Sequence, residues 1–375
     1  MKILYLAFAG TDQRGVHRKL TEQVRGLGEL GVQLETLVFA DLHGGGAPDT
    51  PYRVLDVPGG GFGLQGRLLA FYVAWEAIQK FRPDVVYFRY PVYDAHVLRF
   101  VREAPPTVFE LQTIYAHEAT PEVAAAEAQW AARVLPETAG LVAVTTEILE
   151  AERHRAGWAI PGHVMPNGAD PSTVPFVAPE LDADRIDVLC VASFLPWHGI
   201  DRLLVGMALE PDVSELHLHL VGDGPMIPAL RQLAAEAGLS DRVHFHGAMS
   251  PAALEPWYRR AHLAIGSLAP HRVGLRELAA LKHREYALTG LPMIIAGGDA
   301  DFSATLPWLR IVPADDSPIS PRMLRGLALA WRPEARRRQI RSWAVQHLSW
   351  EAKLPALVGF LDRCAHDAGR AEGRP

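Results

Sequence analysis

The sequence predicts an α/β protein made of two domains of similar size, each built on a parallel β-sheet. At 375 residues the chain exceeds the size at which a single hydrophobic core stops growing. Short runs rich in β-branched and aromatic residues alternate with helical patterns, which is typical of βαβ units. Between the two series, residues 167–187 (NGADPSTVPFVAPELDADRID) carry three prolines and little periodicity. This stretch indicates a connection between domains.

Each predicted strand is a short apolar run bounded by turn residues. In the first half these runs are KILYLAFA, VQLETLVF, YRVLDV, DVVYFRY, PTVFEL and GLVAVT. In the second half they are RIDVLCVA, ELHLHLVG, RVHFHG, HLAIG and PMIIAG. The helical patterns between them include VHRKLTEQVRGLGEL, RLLAFYVAWEAIQKF, PEVAAAEAQWAARVL, MIPALRQLAAEAG, RELAALKHREYALTG and MLRGLALAW. Open sheets of this kind bind ligands at the carboxyl ends of their strands, so we expect a site in the cleft between the halves.

Composition excludes several classes of protein. The formal net charge of −6 and the pI near 6.2 predict no nucleic-acid partner. Cys190 and Cys364 lie far apart without metal-ligand spacing, which indicates reduced thiols. The opening MKILYLAFAG is shorter than a secretory signal, and no run approaches the ~20 apolar residues of a membrane span. We therefore expect a cytoplasmic protein, with weak peripheral contact at the inner face of the membrane as the alternative.

Residues 58–68 (PGGGFGLQGRL) place Gly61, Gly63 and Gly66 in G-x-G-x-x-G spacing. A dinucleotide-binding loop of this spacing follows the first strand, with an acidic residue ~20 positions on, at the end of the next strand. Here the glycines follow the third predicted strand, and Asp84 lies at the start of DVVYFRY rather than after it. An NAD-dependent oxidoreductase is therefore the weaker alternative, and a glycine loop beside the cleft is the better interpretation.

Residues 271–294 (HRVGLRELAALKHREYALTGLPMI) combine charged side chains with strong helix formers. If one helix carries both Glu277 and Glu285, the two carboxylates lie within roughly 80° and about 12 Å of each other, and both can face one elongated ligand. Lys282 and Arg284 add cationic donors, and Gly290 and Pro292 are expected to end the helix before the strand MIIA. A solvated helix with ordinary charge pairs is the alternative.

Several segments, taken together and in order, resemble the retaining glycosyltransferases of family 4. They are AFAGTDQRGVHRK, PDVVYFRYP, VMPNGAD, VASFLPWHGIDRLL, LHLVGDGP, DRVHFHGAM, the E-x(7)-E segment and HLSWEAK. The resemblance runs over nearly the whole chain and implies the GT-B fold, with two Rossmann-like domains facing a central cleft. It implies an acceptor-side domain at 1–170, a linker at 171–186, a nucleotide-sugar-binding domain at 187–348, a helix crossing back at 349–365 and a disordered tail at 366–375.

The same resemblance implies the activity. A sugar would move from a nucleotide-sugar donor, such as a UDP- or GDP-sugar, to a hydroxyl acceptor with retention of configuration, without a cofactor or metal. In such a reaction the leaving phosphate helps to deprotonate the acceptor, and the protein supplies position and charge. A catalytically silent GT-B protein that binds a nucleotide sugar is the alternative.

The resemblance also assigns residues to the site. Glu285 is expected to accept hydrogen bonds from the ribose, and Glu277 to lie near the hydroxyls of the donor sugar. The turn before the helix is expected to offer backbone N–H groups to sugar or phosphate, aided by the positive end of the helix. The residues of this turn are Val273, Gly274 and Leu275. The residues expected to border the base are Phe245, Gly247 and Met249.

Two further assignments fall in the first domain. Gly15 is expected on the loop that meets the diphosphate, and His117 is expected to approach the donor sugar. For His117, a packed or solvated imidazole is the alternative interpretation.

One departure from the family pattern concerns charge. Members of family 4 carry Arg and Lys in the loop after the first strand of the second domain, where this chain has Ser193 and His198. Two fixed cations are then missing from a site that must stabilise a leaving diphosphate. We expect Arg272 and Lys282 to supply the charge, because both lie on the motif that faces the ligand.

Three remaining features have ordinary explanations. The D-x-D pairs Asp182/Asp184 and Asp299/Asp301 would suit a metal-dependent transferase, but we expect solvated loop acids and no metal. The run RPEARRRQIR at 332–341 is interpreted as the exposed face of a helix, with contact to anionic lipid as the alternative. HLHLV and HFHG place histidines on one side of short strands, without the further ligand that zinc requires.

Overall fold

The computed structural model describes residues 1–10, 13–43, 49–61, 63–90, 92–115, 119–182 and 184–367. The chain divides into two compact units: the first contains Met1–Pro166 and the chain from Trp350 onward, and the second contains Asn167–Ser349. Part of the predicted linker belongs to the core of the second unit, because Val174 and Val177 are buried there. The predicted tail lies outside the described residues from position 368 onward.

A seven-stranded parallel sheet forms the first unit. Its strands are β1 (Lys2–Phe8), β2 (Gln33–Ala40), β3 (Arg53–Asp56), β4 (Val85–Arg89), β5 (Thr107–Leu111), β6 (Gly140–Ala143) and β7 (Gly162–Val164). Its connecting helices are α1 (Arg14–Glu29), α2 (Leu64–Phe81), α3 (Ala95–Glu103), α4 (Pro121–Val134) and α5 (Thr146–Ala156). The spatial order is β3-β2-β1-β4-β5-β6-β7. The order reverses between β1 and β4, and doubly wound sheets bind ligands at such a switch point.

A six-stranded parallel sheet forms the second unit. Its strands are β8 (Ile186–Val191), β9 (Leu216–Val221), β10 (Val243–Phe245), β11 (Leu263–Ile265), β12 (Met293–Ala296) and β13 (Leu309–Val312). Its helices are α6 (Ile200–Leu209), α7 (Ile227–Glu236), α8 (Pro251–Arg260), α9 (Leu281–Thr289), α10 (Pro321–Ala330) and α11 (Glu334–Leu348). The order β10-β9-β8-β11-β12-β13 puts the switch point between β8 and β11.

The predicted parallel sheets and the strands named for them are confirmed. The sequence analysis missed two strands, β7 and β13, and both lie at an edge of their sheet. The two middle residues of β13, Arg310 and Ile311, are exposed, and all three residues of β7 are only half-buried. Neither strand therefore carries the continuous apolar run that marks a strand buried on both faces.

The last helix, α12 (Trp350–Asp367), packs on the first unit. The indole Nε1 of Trp350 donates to Glu22 Oε2 at 2.8 Å, and Leu354 is fully buried against α1. A Cβ at Gly26 of α1 would lie 2.5 Å from Leu354 Cδ1, so glycine permits the close approach of the two helices. Ser349, with φ −68° and ψ 151°, separates α11 from α12.

The basic run at 332–341 is not simply the exposed face of a helix, as the sequence analysis expected. Arg337 is fully buried and donates to the backbone oxygens of Ala261 (2.7 Å) and His262 (3.2 Å). Arg341 donates to the carbonyl oxygens of Leu288 and Pro171 at 2.7 and 2.8 Å. These two guanidinium groups therefore join α11 to the rest of the second unit and are not available to a lipid surface.

Four histidines of β9, β10 and the residue after β10 form a stack on one face of the second sheet. His217 Nδ1 lies 3.2 Å from His244 Nε2, and His219 Nδ1 lies 3.0 Å from His246 Nε2. His219 Nε2 also contacts Asp187 Oδ1 at 2.9 Å. Burial lowers the pKa of His217, His244 and His246, which favours the neutral form of these three imidazoles.

We predict that Leu354→Ala destabilises the first unit by about 2–5 kcal/mol, because it opens a cavity between α1 and α12. Hydrogen exchange in β1 and β4 measures this loss, and exchange in β8 and β11 reports the second unit. Leu209→Ala is the matched control, because Leu209 is 67% exposed. Equal effects of the two variants on β1 would contradict the docking of α12.

We predict that the second unit loses stability as the pH falls from about 6.5 to 4. Burial lowers the pKa of several of its histidines, to about 4 for His246 and His262 and to about 2 for His198. The unfolded chain, with ordinary pKa values near 6.5, therefore takes up protons first, and acid favours unfolding. Urea midpoints at pH 7.5, 6 and 5 measure the effect. His244→Asn with His246→Asn should flatten the slope, whereas His347→Asn, at an exposed position, should leave it unchanged.

Candidate active site

Two loops meet at the switch point of the second sheet. The loop after β8 runs through Ser193 and a short 3-10 turn, Pro196–His198. The loop after β11 contains a second 3-10 turn, Pro270–Val273. Backbone hydrogen bonds join them, from Leu268 N to His198 O (3.1 Å) and from Ala269 N to Trp197 O (3.0 Å). The carboxyl edge of β8 and β11 is therefore a fixed surface on which side chains can be positioned.

A buried ion pair holds α9 against this edge. Arg284 is fully buried and donates from Nη2 to Asp299 Oδ1 at 2.6 Å and from Nε to Asn167 O at 2.9 Å. His283 Nδ1 lies 3.0 Å from Asp299 Oδ2, while its Nε2 accepts from Ser267 N at 3.2 Å. Burial alone would raise the pKa of Asp299, but the Arg284 charge and the His283 hydrogen bond lower it below its ordinary value.

The ion pair of Arg284 changes the interpretation of the late D-x-D pair, Asp299 and Asp301. Asp299 and Asp301 are not solvated loop acids, because both carboxylates bind Arg284. Among the described residues, no group of three or more His, Cys, Asp or Glu side chains is placed to hold a metal ion. The expectation that Arg284 is a cationic donor to the ligand is wrong, because its buried guanidinium is paired with Asp299 and Asp301. The role of Asp299 was not predicted, although the late D-x-D pair was a visible signal.

Glu277 does not lie on the helix that carries Glu285, which corrects the predicted geometry of the two carboxylates. The helix α9 begins only at Leu281, after Ala280 with extended backbone angles of φ −67° and ψ 131°. Residues 276–278 instead bridge to Gly298, with Leu278 N donating to Gly298 O at 2.9 Å. At Gly297 (φ +70°) a Cβ would lie 2.4 Å from Arg276 O, so this approach requires glycine.

The other end of α9 agrees with the prediction. Gly290 takes the left-handed conformation, with φ 85°, and ends the helix before β12. Glu285 lies on α9 and is half-buried, as is Glu277 in its bridge to Gly298.

The turn at Val273, Gly274 and Leu275 does not offer its amides as expected. Gly274 N donates to His271 O at 3.0 Å, and Leu275 N donates to Pro270 O at 3.2 Å. Both N–H groups are therefore used inside the turn. The turn also does not open a helix, so the positive helix end that the sequence analysis placed here lies instead at Leu281.

Arg272 does not carry the uncompensated charge that the sequence analysis expected. Its Nη1 and Nη2 donate to Asp201 Oδ1 and Oδ2 at 2.8 and 2.7 Å. Its Nη2 also donates to Asp316 Oδ1 at 2.6 Å. These hydrogen bonds raise the pKa of Arg272. Two carboxylates neutralise the guanidinium, which therefore ties the turn to α6 and to the loop after β13.

The two positions at which family 4 carries cations contribute no charge here. Ser193 is exposed. His198 is buried and accepts from Leu195 N at its Nδ1, at 3.0 Å. Burial, followed by the nearby Lys282 and His283, lowers the pKa of His198 to about 2, so the imidazole is neutral at neutral pH.

Lys282 is a further cation at this edge. Its Nζ is shielded from solvent and finds no hydrogen-bond partner within the described part of the chain. Burial lowers the pKa of Lys282 from its ordinary value. One turn further along α9, the Tyr286 hydroxyl accepts from Val191 N at 2.8 Å, so this face of the helix points to the carboxyl end of β8.

The remaining predicted residues lie near this edge or on the first unit. Phe245 ends β10 with Arg231 4.4 Å above its ring, and the carbonyl oxygen of Gly247 accepts from Gly222 N at 2.7 Å. Met249 packs against the core of the second unit. Gly15 is exposed in the first turn of α1.

Two sequence-based expectations have other outcomes. His117 lies outside the described residues. The glycine loop at 58–68 follows β3, which is an edge strand of the first sheet. This position is far in strand order from the β1/β4 switch point, where a dinucleotide-binding loop belongs.

None of the described helices is long and apolar enough to cross a membrane.

Comparisons with known proteins agree with this architecture. Residues 13–173 match the family model described as Glycosyltransferase Family 4, and residues 185–302 match the model described as Glycosyl transferases group 1. No curated protein sequence matches the chain.

Solved structures show the same fold at low sequence identity. HepE of Anabaena in complex with UDP is 16% identical, with a TM-score of 0.65 over 99% of this chain and 100% of its own. Sucrose-phosphate synthase of Thermosynechococcus elongatus is 18% identical, with a TM-score of 0.70 over 98% and 100%. A glycosyltransferase of Rickettsia africae is 14% identical, with a TM-score of 0.72 over 98% and 99%. With both family models matched in order over most of its length, the chain belongs to the glycosyltransferases, with a Family 4 domain followed by a group 1 domain on the GT-B fold.

Proposed function

We propose that this glycosyltransferase uses a nucleoside-diphosphate sugar as donor, binds it at the carboxyl edge of the second sheet, and transfers the sugar to a hydroxyl acceptor with retention of configuration. The observation that carries the proposal is the Nζ of Lys282 at the β8/β11 switch point, which is buried and has no hydrogen-bond partner among the described residues. Crystal structures of HepE of Anabaena contain UDP and UDP-glucose. A UDP-sugar is therefore the first donor to test.

The charges at this edge support a phosphate ligand. Arg272 is neutralised by two carboxylates and His198 is neutral, whereas Lys282 has neither a counter-ion nor a hydrogen bond from a described residue. A buried ammonium without a partner is unfavourable, and an anion removes that cost. The α9 N-terminus lies beside it, and its cap residue Ala280 forms no side-chain cap hydrogen bond to the first-turn amides. Such amides and a nearby cation together suit a diphosphate.

The proposed roles follow from this placement of the diphosphate. Glu285, three residues beyond Lys282 on α9, accepts hydrogen bonds from the ribose hydroxyls. Glu277, held by its bridge to Gly298, lies near the hydroxyls of the donor sugar. The bond from the sugar C1 to the phosphate oxygen breaks, and the acceptor oxygen bonds to C1 on the same face. The acceptor proton passes to the leaving phosphate, whose growing negative charge Lys282 stabilises.

The proposal is tested by incubating the full chain with a panel of UDP- and GDP-hexoses and measuring thermal shift and donor hydrolysis. A thermal shift with slow hydrolysis supports a transferase without its acceptor. A shift without turnover under any acceptor favours the silent nucleotide-sugar-binding protein, which the absence of charge at Ser193 and His198 also favours. A response to NAD alone would contradict the proposal.

We predict that Glu285→Gln lowers transfer by about 10- to 100-fold, because a charge-assisted hydrogen bond contributes roughly 1.5–3 kcal/mol. Lys282→Ala should lower kcat at least as much, because its charge acts most strongly on the departing phosphate. Steady-state kinetics with the best donor measure both effects. Lys80→Ala is the control, because the Lys80 side chain is 78% exposed on the first unit.

Restoring charge at another position provides a sharper test of Lys282. Ser193→Arg in the Lys282→Ala background should recover much of the lost rate, because Ser193 is exposed at the same carboxyl edge. His198 is unsuitable for this purpose, since it is buried and accepts a backbone hydrogen bond. Lys282→Ala with full activity in a folded protein would rule out its proposed role.

We also predict that transfer persists in EDTA. The proposed site gives the diphosphate to a lysine and to backbone amides, and the late D-x-D carboxylates bind Arg284. The measurement is the initial rate of transfer with and without EDTA. The chelator is used at a concentration on the order of millimolar, about 5-fold above any metal in the assay. Activity that is lost in chelator and restored by Mn²⁺ or Mg²⁺ would require a metal-dependent mechanism.

A further inference from the structure

The carboxyl edge of the first sheet carries a separate group of polar side chains without partners. Arg89 is the last residue of β4, and Gln112 and Thr113 directly follow β5. The atoms Arg89 Nη1, Gln112 Nε2 and Thr113 Oγ1 are all shielded from solvent, and none has a hydrogen-bond partner among the residues that the structure describes. β4 and β5 are parallel neighbours, so the three residues lie at one edge, beside the β1/β4 switch point.

The nearest carboxylate does not neutralise Arg89. Glu110 is paired with Arg89 in the β4–β5 register, but its oxygens are occupied by other groups. Lys19 Nζ lies 2.8 Å from Oε1, the Tyr5 hydroxyl donates to Oε2 at 2.6 Å, and Gln23 Nε2 donates to Oε1 at 3.3 Å. Burial opposes ionisation of Glu110, but the Lys19 and Arg89 charges lower its pKa to about 2.

The resulting local charge is positive. Burial lowers the pKa of Lys19 to about 8, so near neutral pH Lys19 and Glu110 form an ion pair with no net charge. Arg89 is the second cation of this group, and it forms no ion pair with any described residue. The edge therefore offers a guanidinium, an amide N–H₂ and a hydroxyl, with one uncompensated positive charge.

Groups of this kind are costly to bury without a partner. Each unmade hydrogen bond costs roughly 1–3 kcal/mol, and more for a charged group. A phosphate or carboxylate accepts several hydrogen bonds at once, and the planar fork of arginine matches either anion. A neutral sugar hydroxyl could satisfy the amide or the hydroxyl, but it would leave the charge of Arg89 uncompensated.

We propose that the first unit binds an anionic acceptor, whose phosphate or carboxylate group is held by Arg89, Gln112 and Thr113. The proposal rests on the proposed function, since it names the chemical class of the substrate that receives the sugar. The donor is bound by residues of the second unit, so the two substrates depend on different side chains.

The test uses the full chain with UDP at saturation, so that the donor site is filled, and titrates a probe by calorimetry. The probes are glucose 6-phosphate, glucuronate and neutral glucose. We expect at least one anion to bind at least 10-fold more tightly than glucose, and the comparison of the two anions separates phosphate from carboxylate recognition. Equal binding of all three probes, or none, would overturn the proposal.

Variants assign the binding to these side chains. Arg89→Met and, independently, Gln112→Ala should weaken the bound anion about 10-fold or more, while the Kd of UDP changes by less than twofold. Arg99→Met is the matched control, because Arg99 lies on α3 with its side chain 78% exposed. Unchanged anion affinity in folded Arg89→Met and Gln112→Ala would overturn the assignment.

The effect of each substitution on UDP affinity distinguishes failure of the acceptor proposal from failure of the proposed donor site. If Arg89→Met lowered the affinity for UDP, Arg89 would be assigned to the donor site, and its proposed role in acceptor binding would be overturned. Loss of UDP affinity in Lys282→Ala, with anion binding intact, supports both proposals. UDP binding that is unaffected by Lys282→Ala counts against the donor site alone, and leaves the anion titration as the measure of the acceptor proposal.

Discussion

The buried ion pair of Arg284 and Asp299 is the interaction on which the carboxyl edge of the second unit depends. It joins α9 to the loop after β12, and through Asn167 O it also joins the segment that enters the second unit. His283 extends the same pairing to the loop after β11. Removal of one partner would leave a buried charge without compensation, a loss that typically costs 3–5 kcal/mol. The position of α9, which carries Glu285 and Lys282, is therefore fixed by side chains that are buried inside the second unit.

The two sheets have a similar distribution of paired and unpaired charges at their carboxyl edges. In each unit most buried charges at the carboxyl edge are matched by a neighbour, as in the pairs Lys19–Glu110 and Arg272–Asp201. Two cations of these edges, Arg89 in the first sheet and Lys282 in the second, have a buried nitrogen without a hydrogen-bond partner among the described residues. Both lie beside the switch point of their sheet, where the topology leaves room between the strands' outgoing loops. An uncompensated charge at such a position is the electrostatic feature on which both proposed substrate sites rest.

The sequence predicted those parts of the molecule that depend on local pattern. Strands buried on both faces read as continuous apolar runs, and Gly290 marked the end of α9 because its φ of 85° suits glycine. The predicted start of α9 was wrong because residues 276–278 pair with Gly298. Helix propensity depends on the local sequence and carries no information about such a contact. The role expected for Arg272 was wrong for a related reason. The residues that neutralise it, Asp201 and Asp316, are 71 and 44 positions away in the chain.

The return of α12 to the first unit has a consequence for the order in which the protein is completed on the ribosome. Domains generally fold as units during synthesis, with the N-terminal one first. Here every residue of the second unit leaves the ribosome before the helix that covers Gly26 and buries Leu354 against the first sheet's core. The first unit therefore stays incomplete until the second unit has been synthesised. During that time apolar side chains such as Leu20 and Leu27 lack part of the packing that buries them in the finished protein. The apolar surface that α12 covers in the finished protein is thus without this cover for the whole synthesis of the second unit.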